Sequence, residues 1–408
     1  MASKVIIVSQ YYAPDPSTTA VYMTAIAETL ARDMPVVVLS GTAPAAPSAR
    51  SAGEAQHRPS VIPIRCRQPR KSALASRAVA MALFAIRTFF STLRRARRED
   101  VVFCVTSPFT LPYAVIVAAR LRGAATVLLV YDLYPEALEM AGLIRMRSVT
   151  SRLIRLANRS MFRALDAIIV IGRDVRTLLL AYQGVAPQKI TFIPNWPLIP
   201  TGYRDTIPDN PFRRGRHAQL VVGLSGNLGF THSPGTVFRA AGMLQDDPDI
   251  HLLLSGWGVG WNELQKLQAT QRLDNVTLVD PVRESELEDF LAAADVWIIP
   301  YRRNVAGVSV PSRLYNLLAI GRAVIVAAEP WSEASMMVNE NGIGWVVPPE
   351  DPVRLAEAIR QASSDRAATM QKGRRAAEVA TNYASATALS RYGALIHRLR
   401  SPHSRRPR

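Results

Sequence analysis

The chain's 408 residues, 49% hydrophobic and 20% charged with 22 Gly and 28 Pro, exclude disordered, fibrous and collagen-like polypeptides and suffice for two or three domains. Cys66 and Cys104 are too few for a disulfide framework or a Cys-rich zinc site, and no segment resembling a signal peptide precedes Lys4, so a reducing cytosol is the expected compartment. The net charge of +17 is lopsided: residues 1–200 carry 25 Lys and Arg against 11 Asp and Glu, residues 201–397 carry 19 against 21, and the last eleven add five Arg, so the expected partner is anionic, either nucleic acid or a phospholipid surface.

Residues 4–9 (KVIIVS) read as a buried strand, followed by the turn-rich YYAPDPSTT, a helical pattern through Met23, Ile26, Ala27 and Leu30, and a second strand at 34–40. This is the βαβ opening of a doubly wound domain. Residues 41–60, rich in Ala, Pro and Ser, are expected to form a loop. Strands follow at 101–107 (VVFCVTS), 125–132 (ATVLLVYD), 167–172 (AIIVIG) and 189–195 (KITFIPN). The longest uncharged stretch, 101–119, contains Pro108 and Pro112 and reads as strand, turn and helix rather than a membrane span. Residues 196–216, Pro-rich and polar, look like a linker. The alternation then restarts with the strands QLVVGLSGN, HLLLSGWG, NVTLVD, DVWIIPY, AVIVAA and GIGWVVP, and with helices at 235–244, 261–270, 285–294, 312–320 and 352–364. The expected architecture is α/β, with Rossmann-like doubly wound domains at 1–197 and 198–381, a helix at about 382–400 packing back on the first, and a ligand in the crevice at the carboxyl ends of the strands.

In the second half, SGNLG (225–229) follows a strand and precedes a helix; Gly226 and Gly229 let backbone amides approach an anion, with a plain glycine turn as the alternative. SGWGVG (255–260), with Gly256 and Gly258, is a second such turn but lacks the order of a dinucleotide fingerprint. In VSVPSRLYNLLAIGRAVIV (308–326), Pro311 and Ser312 suit a helix start where Arg313 adds a guanidinium, a set fitted to a diphosphate.

With GNLG, GWG and PSRLYNLLAIGRAV, and with DLYPE (132–136), KITFIPNW (189–196) and AADVWIIPY (293–301), the chain resembles over almost its full length the family 4 glycosyltransferases of the two-domain GT-B type that build bacterial capsule, O-antigen and exopolysaccharide units. Where many retaining members carry two glutamates eight residues apart, this chain has Val308 and Asn316, and the related PSK motif reads Pro311, Ser312, Arg313. The resemblance implies transfer of a sugar, with retention at the anomeric carbon, from a UDP- or GDP-linked donor to a lipid-linked saccharide, on the inner face of the plasma membrane and without a metal. It assigns the donor to Gly226, Asn227, Gly229, His232, Gly256, Gly258, Ser309, Pro311, Ser312, Arg313 and Asn316. His232 is also readable as a helix residue facing water.

Asp132, with Glu136 four residues on, ends a buried strand and is the candidate for orienting or deprotonating the acceptor hydroxyl; helix capping and a dipole contact are the alternatives. Residues 65–98 hold ten basic and no acidic residues around an apolar run, and 145–163 hold six and none. Such helices suit an anionic leaflet, with Arg77, Arg87, Arg94, Arg95, Arg97, Arg98, Arg152, Arg155 and Arg159 at the surface and Phe84, Phe89, Phe90 and Leu93 inserting. No nucleic-acid recognition motif accompanies them. A GT-B-type sugar-nucleotide epimerase and an inactive nucleotide-sugar-binding scaffold are the competing functions.

Overall fold

The computed structural model describes residues 3–43, 58–65, 74–205, 209–213 and 220–400. Parts of the expected 41–60 loop and 196–216 linker, and the basic residues after 400, lie outside these. The described chain forms two compact units. The first takes in the described residues up to Pro135, Met146–Pro194 and those from Ala386 on; the second is Glu136–Arg145 with Asn195–Ser385.

The first unit is built on a parallel sheet of β1 (Val5–Ser9), β2 (Val36–Ser40), β3 (Ser60–Pro63), β4 (Val101–Val105), β5 (Ala125–Val130), β6 (Ala167–Val170) and β7 (Ile190–Phe192). Their order is β3-β2-β1-β4-β5-β6-β7. VIIVS and VVFCV are buried along their whole length because helices cover both faces of the central strands, and continuous apolar runs are what such a strand requires. The helices are α1 (Thr18–Ala31), α2 (Leu74–Arg95), α3 (Leu111–Leu121), α5 (Val149–Ala164) and α6 (Asp174–Leu180); between α3 and α5 the short α4 (Glu136–Met140) belongs to the second unit. Ser17 and Ser148 start α1 and α5 as N-caps, accepting from Ala20 N–H and Ser151 N–H.

The second unit repeats the plan with β8 (Leu220–Leu224), β9 (Ile250–Ser255), β10 (Val276–Val279), β11 (Val296–Pro300), β12 (Ala323–Ala327) and β13 (Gly344–Val347), ordered β10-β9-β8-β11-β12-β13. Its helices are α7 (Pro234–Gly242), α8 (Val259–Gln271), α9 (Leu287–Ala293), α10 (Arg313–Ala319), α11 (Glu333–Asn341), α12 (Pro352–Ser364) and α13 (Arg366–Ala380). The final helix, α14 (Ser385–Arg400), packs in the first unit: Tyr392 is 1% exposed and lies edge-on to Phe103, and Arg400 donates to the Ser3 carbonyl at 2.6 Å.

In each sheet the winding direction reverses once, between β1 and β4 and between β8 and β11, and such switch points open a ligand crevice at the strands' carboxyl ends. The two successive doubly wound sheets agree with the sequence reading. It missed β3, a half-exposed edge strand ending at Pro63, and the helices α11 and α13. The described part of the expected linker packs on the second unit. Gly202 N–H donates to Ala319 O, Arg322 reaches Arg204 O, Asn210 donates to Asp289 O, and Phe212 meets Phe290 edge-on.

Gly223 of β8 pairs with Trp297 of β11, and a Cβ added there would meet the indole at 2.5 Å. Trp297 is fully buried and donates to Leu291 O, so it has no room to retreat. Gly223→Ala should lower unfolding free energy by about 1–3 kcal/mol. Urea denaturation followed by circular dichroism measures it, and wild-type stability would show that the ring relaxes.

Candidate donor site and acceptor-side loop

At the switch point of the second sheet, the chain leaving β8 meets the chain leaving β9. Gly226 N–H donates to Ser255 O, Trp257 N–H to Gly226 O, Leu228 N–H to Trp257 O and Gly260 N–H to Leu228 O. Two glycine turns are thereby sewn together along their backbones, and the glycines are there for clearance. A Cβ on Gly256 would meet Gly226 O at 2.5 Å, and one on Gly258 would meet Asn227 Oδ1 at 2.8 Å. Gly226 and Gly258 also hold φ of 97° and 96°, the left-handed region open to glycine. Asn227 is exposed and Gly229 half-buried.

Arg313 closes the arrangement. Its two terminal guanidinium nitrogens donate to Ser225 O and Asn227 O, laying the group over Gly226. Burial draws the guanidinium down to about 10, which leaves it charged at neutral pH. These two bonds use two of its five N–H donors. The helix it opens differs from the expectation: α10 has seven residues, and the Ser312 hydroxyl makes no capping bond. Pro311 is buried and Ser312 half-buried; the Ser309 backbone carbonyl accepts from the Tyr301 hydroxyl at 3.5 Å. Asn316 is used elsewhere, its Oδ1 accepting from Leu198 N–H at 2.8 Å.

His232 is no solvent-facing helix residue. It is 8% exposed, bridged to Tyr301 with ring centroids 5.1 Å apart; its Nδ1 lies 3.0 Å from the Thr231 hydroxyl, and its buried Nε2 has no hydrogen-bond partner. Arg302 Nε donates to its carbonyl. Burial, together with the neighbouring Arg313 and Arg302 charges, holds the imidazole well below its ordinary value. The structure thus gathers Gly226, Asn227, His232, Gly256, Gly258, Ser309 and Arg313 around one turn system. Sequence reasoning missed Tyr301, which ends the quoted AADVWIIPY, and the half-exposed Trp257 between two glycines.

In the first unit Asp132 lies just beyond β5, half-buried, its N–H donating to the Thr106 hydroxyl at 3.3 Å beside that of Tyr131 at 3.1 Å. Burial first, then Asp132 and Tyr11, raise the Tyr134 phenol. Glu136 belongs to the second unit, in the first turn of α4.

The basic segments are α2 and α5. Phe84 is 1% exposed and part of the core, so it cannot insert into a membrane as expected; the outward apolar side chains are Val79, Leu83, Ile86 and Phe90. Phe89 and Leu93 are half-buried. Arg94, Arg97, Arg98 and Arg152 are exposed; Arg155 and Arg159 are half-buried. Arg87 donates to Arg65 O and Arg95 to Ser91. Arg77 lies on α2 with its side chain outside the described residues. No described helix is long and apolar enough to cross a membrane.

The depressed His232 basicity has a thermodynamic sign. Below about pH 6.5 the unfolded chain takes up a proton that the folded chain refuses, so this residue's contribution is full above that pH and is lost as pH falls. Between pH 6.5 and 5 the stability of His232→Gln should fall less steeply than that of the native protein, by up to about 1.4 kcal/mol per pH unit. Equal slopes in denaturant titrations would place the proton elsewhere.

Comparison with known proteins bears on both units. Residues 17–196 match the family described as "Glycosyl transferase 4-like domain" and residues 220–365 match "Glycosyl transferases group 1". The chain is 27% identical over 363 residues to a probable glycosyltransferase, WbjE, of Pseudomonas aeruginosa, covering 88% of each. It is 27% identical over 304 residues, 72% of this chain and 74% of the relative, to WcaI of Escherichia coli K12, named a putative colanic acid biosynthesis glycosyl transferase. Anabaena Alr3699/HepE, solved in complex with UDP-glucose, superposes with a TM-score of 0.67 over 97% of this chain and 98% of that one, at 15% identity. With the two glycine turns, the PSR segment and both doubly wound sheets in place, these matches identify the chain as a family 4 glycosyltransferase of the GT-B fold.

Proposed function

We propose that the protein transfers a sugar, with retention of anomeric configuration, from a nucleoside diphosphate donor to a lipid-linked saccharide at an anionic membrane surface. The observation that carries this is the cation-bearing turn system at the second sheet's switch point. Exposed Asn227, the spare donors of Arg313 and the unpartnered Nε2 of His232 supply hydrogen bonds around glycines that admit a diphosphate. Gly229, Gly256 and Gly258 shape the approach and Ser312 stands beside Arg313. UDP is the first nucleotide to test, because a protein of the same fold was solved with UDP-glucose; GDP is the second.

Retention by front-face attack needs no protein nucleophile: the departing diphosphate assists the acceptor hydroxyl, and Arg313 with the turn amides stabilises the charge that develops on it. No metal enters this scheme. Asp132 orients or deprotonates the acceptor hydroxyl in the first unit. The apolar and arginine-bearing faces of α2 and α5 dock on anionic lipid, which would keep the protein peripheral on the inner leaflet.

The test is transfer of radiolabelled sugar from UDP- or GDP-sugars to lipid extracts in EDTA, with product stereochemistry read by NMR. Turnover with retention is expected. Inversion or a strict Mg²⁺ or Mn²⁺ requirement overturns the mechanism, and nucleotide binding without turnover returns the protein to a scaffold role. Arg313→Ala should weaken UDP or GDP binding by roughly 1.5–3 kcal/mol in calorimetry, with unchanged affinity removing the residue from the site. Asp132→Asn should lower kcat about a hundredfold at nearly unchanged donor affinity, and near-normal kcat would leave Asp132 a purely structural part of its loop.

A further inference from the structure

Three neighbouring helices of the first unit, α2, α3 and α5, carry four, one and four arginines and no Asp or Glu. α3 packs against both of the others. Solvent-facing apolar side chains run across all three: Ile86 and Phe90 on α2, Val117 and Leu121 on α3, Leu153 and Leu156 on α5, each 48–66% exposed. Between α3 and α5 the surface opens into a groove of about 500 Å³, walled by Tyr113, Val117, Leu121, Ala157 and Met161 with Arg120 at its edge. An apolar trough on helices that carry arginines and no carboxylate, its own Arg120 ion-paired with Asp166 at 3.7 Å, matches an amphiphile that has a hydrocarbon tail and an anionic head.

The groove has a direction. α3 begins just past the carboxyl end of β4 and runs back toward the start of β5, so Tyr113 marks the end near the ligand side of the sheet, and Leu121 lies about 12 Å further along the helix. At the Tyr113 end, its hydroxyl donates to Asn158 Oδ1 at 2.6 Å, and the Asn158 amide donates to Tyr134 O at 2.5 Å and to the Tyr182 hydroxyl at 3.1 Å. Asn158 is 2% exposed, so this connection is dry and well fixed. Tyr134 lies two residues after Asp132. A tail lying in the groove with its head at the Tyr113 end therefore delivers that head to the loop that carries the acceptor-side carboxylate.

We infer that the α3–α5 groove binds the hydrocarbon chain of the acceptor lipid and so sets the acceptor's position relative to Asp132. The inference rests on the proposed lipid-linked acceptor and adds the place and orientation of its tail.

The test uses the full chain and geranylgeranyl phosphate below its micellar concentration, with inorganic phosphate as a head without a tail and dihexanoyl phosphatidylglycerol as a soluble stand-in for a bilayer lipid. Ala157→Trp fills the groove from an exposed position, and the double change Val117→Ser, Leu121→Ser strips its wall without touching the core. Calorimetry should give at least tenfold weaker binding of geranylgeranyl phosphate to both variants, no measurable binding of inorganic phosphate, and nucleotide stabilisation in thermal shift equal to that of the native protein. Native affinity in both variants overturns the assignment. Phosphatidylglycerol binding in the groove as tightly as the isoprenoid overturns it as well, and makes the groove a membrane anchor. Transfer to lipid extracts separates this from the parent proposal: turnover that persists in groove-filled variants sinks the groove alone, whereas turnover of the native protein with chain-free acceptors only sinks the lipid-linked reading.

Discussion

A guanidinium partly withdrawn from water is held best where oxygen acceptors replace the water it loses, because uncompensated desolvation of a charge is costly. Arg313 finds them in the carbonyls of Ser225 and Asn227. Both carbonyls turn toward the guanidinium on either side of Gly226, whose φ of 97° is open to glycine. The turn after β9 is then laid against it by backbone hydrogen bonds, with Gly256 close over the Gly226 carbonyl. Arg313 thus acts first on the protein's own backbone. Its remaining N–H groups are held in a geometry that the protein's own backbone sets, and such preorganisation is what makes an electrostatic contact effective.

Much of the fold was legible because it rests on local patterns. Strands covered on both faces need unbroken apolar runs, and VIIVS, VVFCV and VWIIP are such runs. β3 escaped because an edge strand is half-exposed, and its residues carry no such run. The glycine turns were legible for a steric reason that acts within a few residues. Roles set by distant parts of the chain were not: the amide oxygen of Asn316 serves Leu198, 118 residues away in sequence, and His232 is buried against Tyr301, just past β11. Nothing local to either residue announces those partners.

The arginine-rich helices show the same limit differently. Their composition correctly marked them as basic and apolar, but α2 is apolar on more than one side. Phe84 and the neighbouring Thr88 and Thr92 turn inward, whereas Val79, Leu83, Ile86 and Phe90, spaced at helical intervals, turn outward. Residues at i and i+2 lie on different faces, so Phe84 and Ile86 have opposite fates two positions apart. Only packing against α3 decides which stripe meets water.

The return of α14 to the first unit gives that unit a divided genealogy on the ribosome. Its sheet is translated early, but Phe103 acquires its neighbour Tyr392 only after nearly three hundred further residues have been made, and Ser3 meets Arg400 later still. Most of the second unit is a continuous stretch, Asn195–Ser385, and finishes emerging first. Vectorial synthesis ordinarily lets the amino-terminal domain fold before its successor. Here the order of completion is inverted: the part of the molecule begun first is sealed last, and until then it carries an unfilled apolar seam where Leu395 and Ile396 will lie.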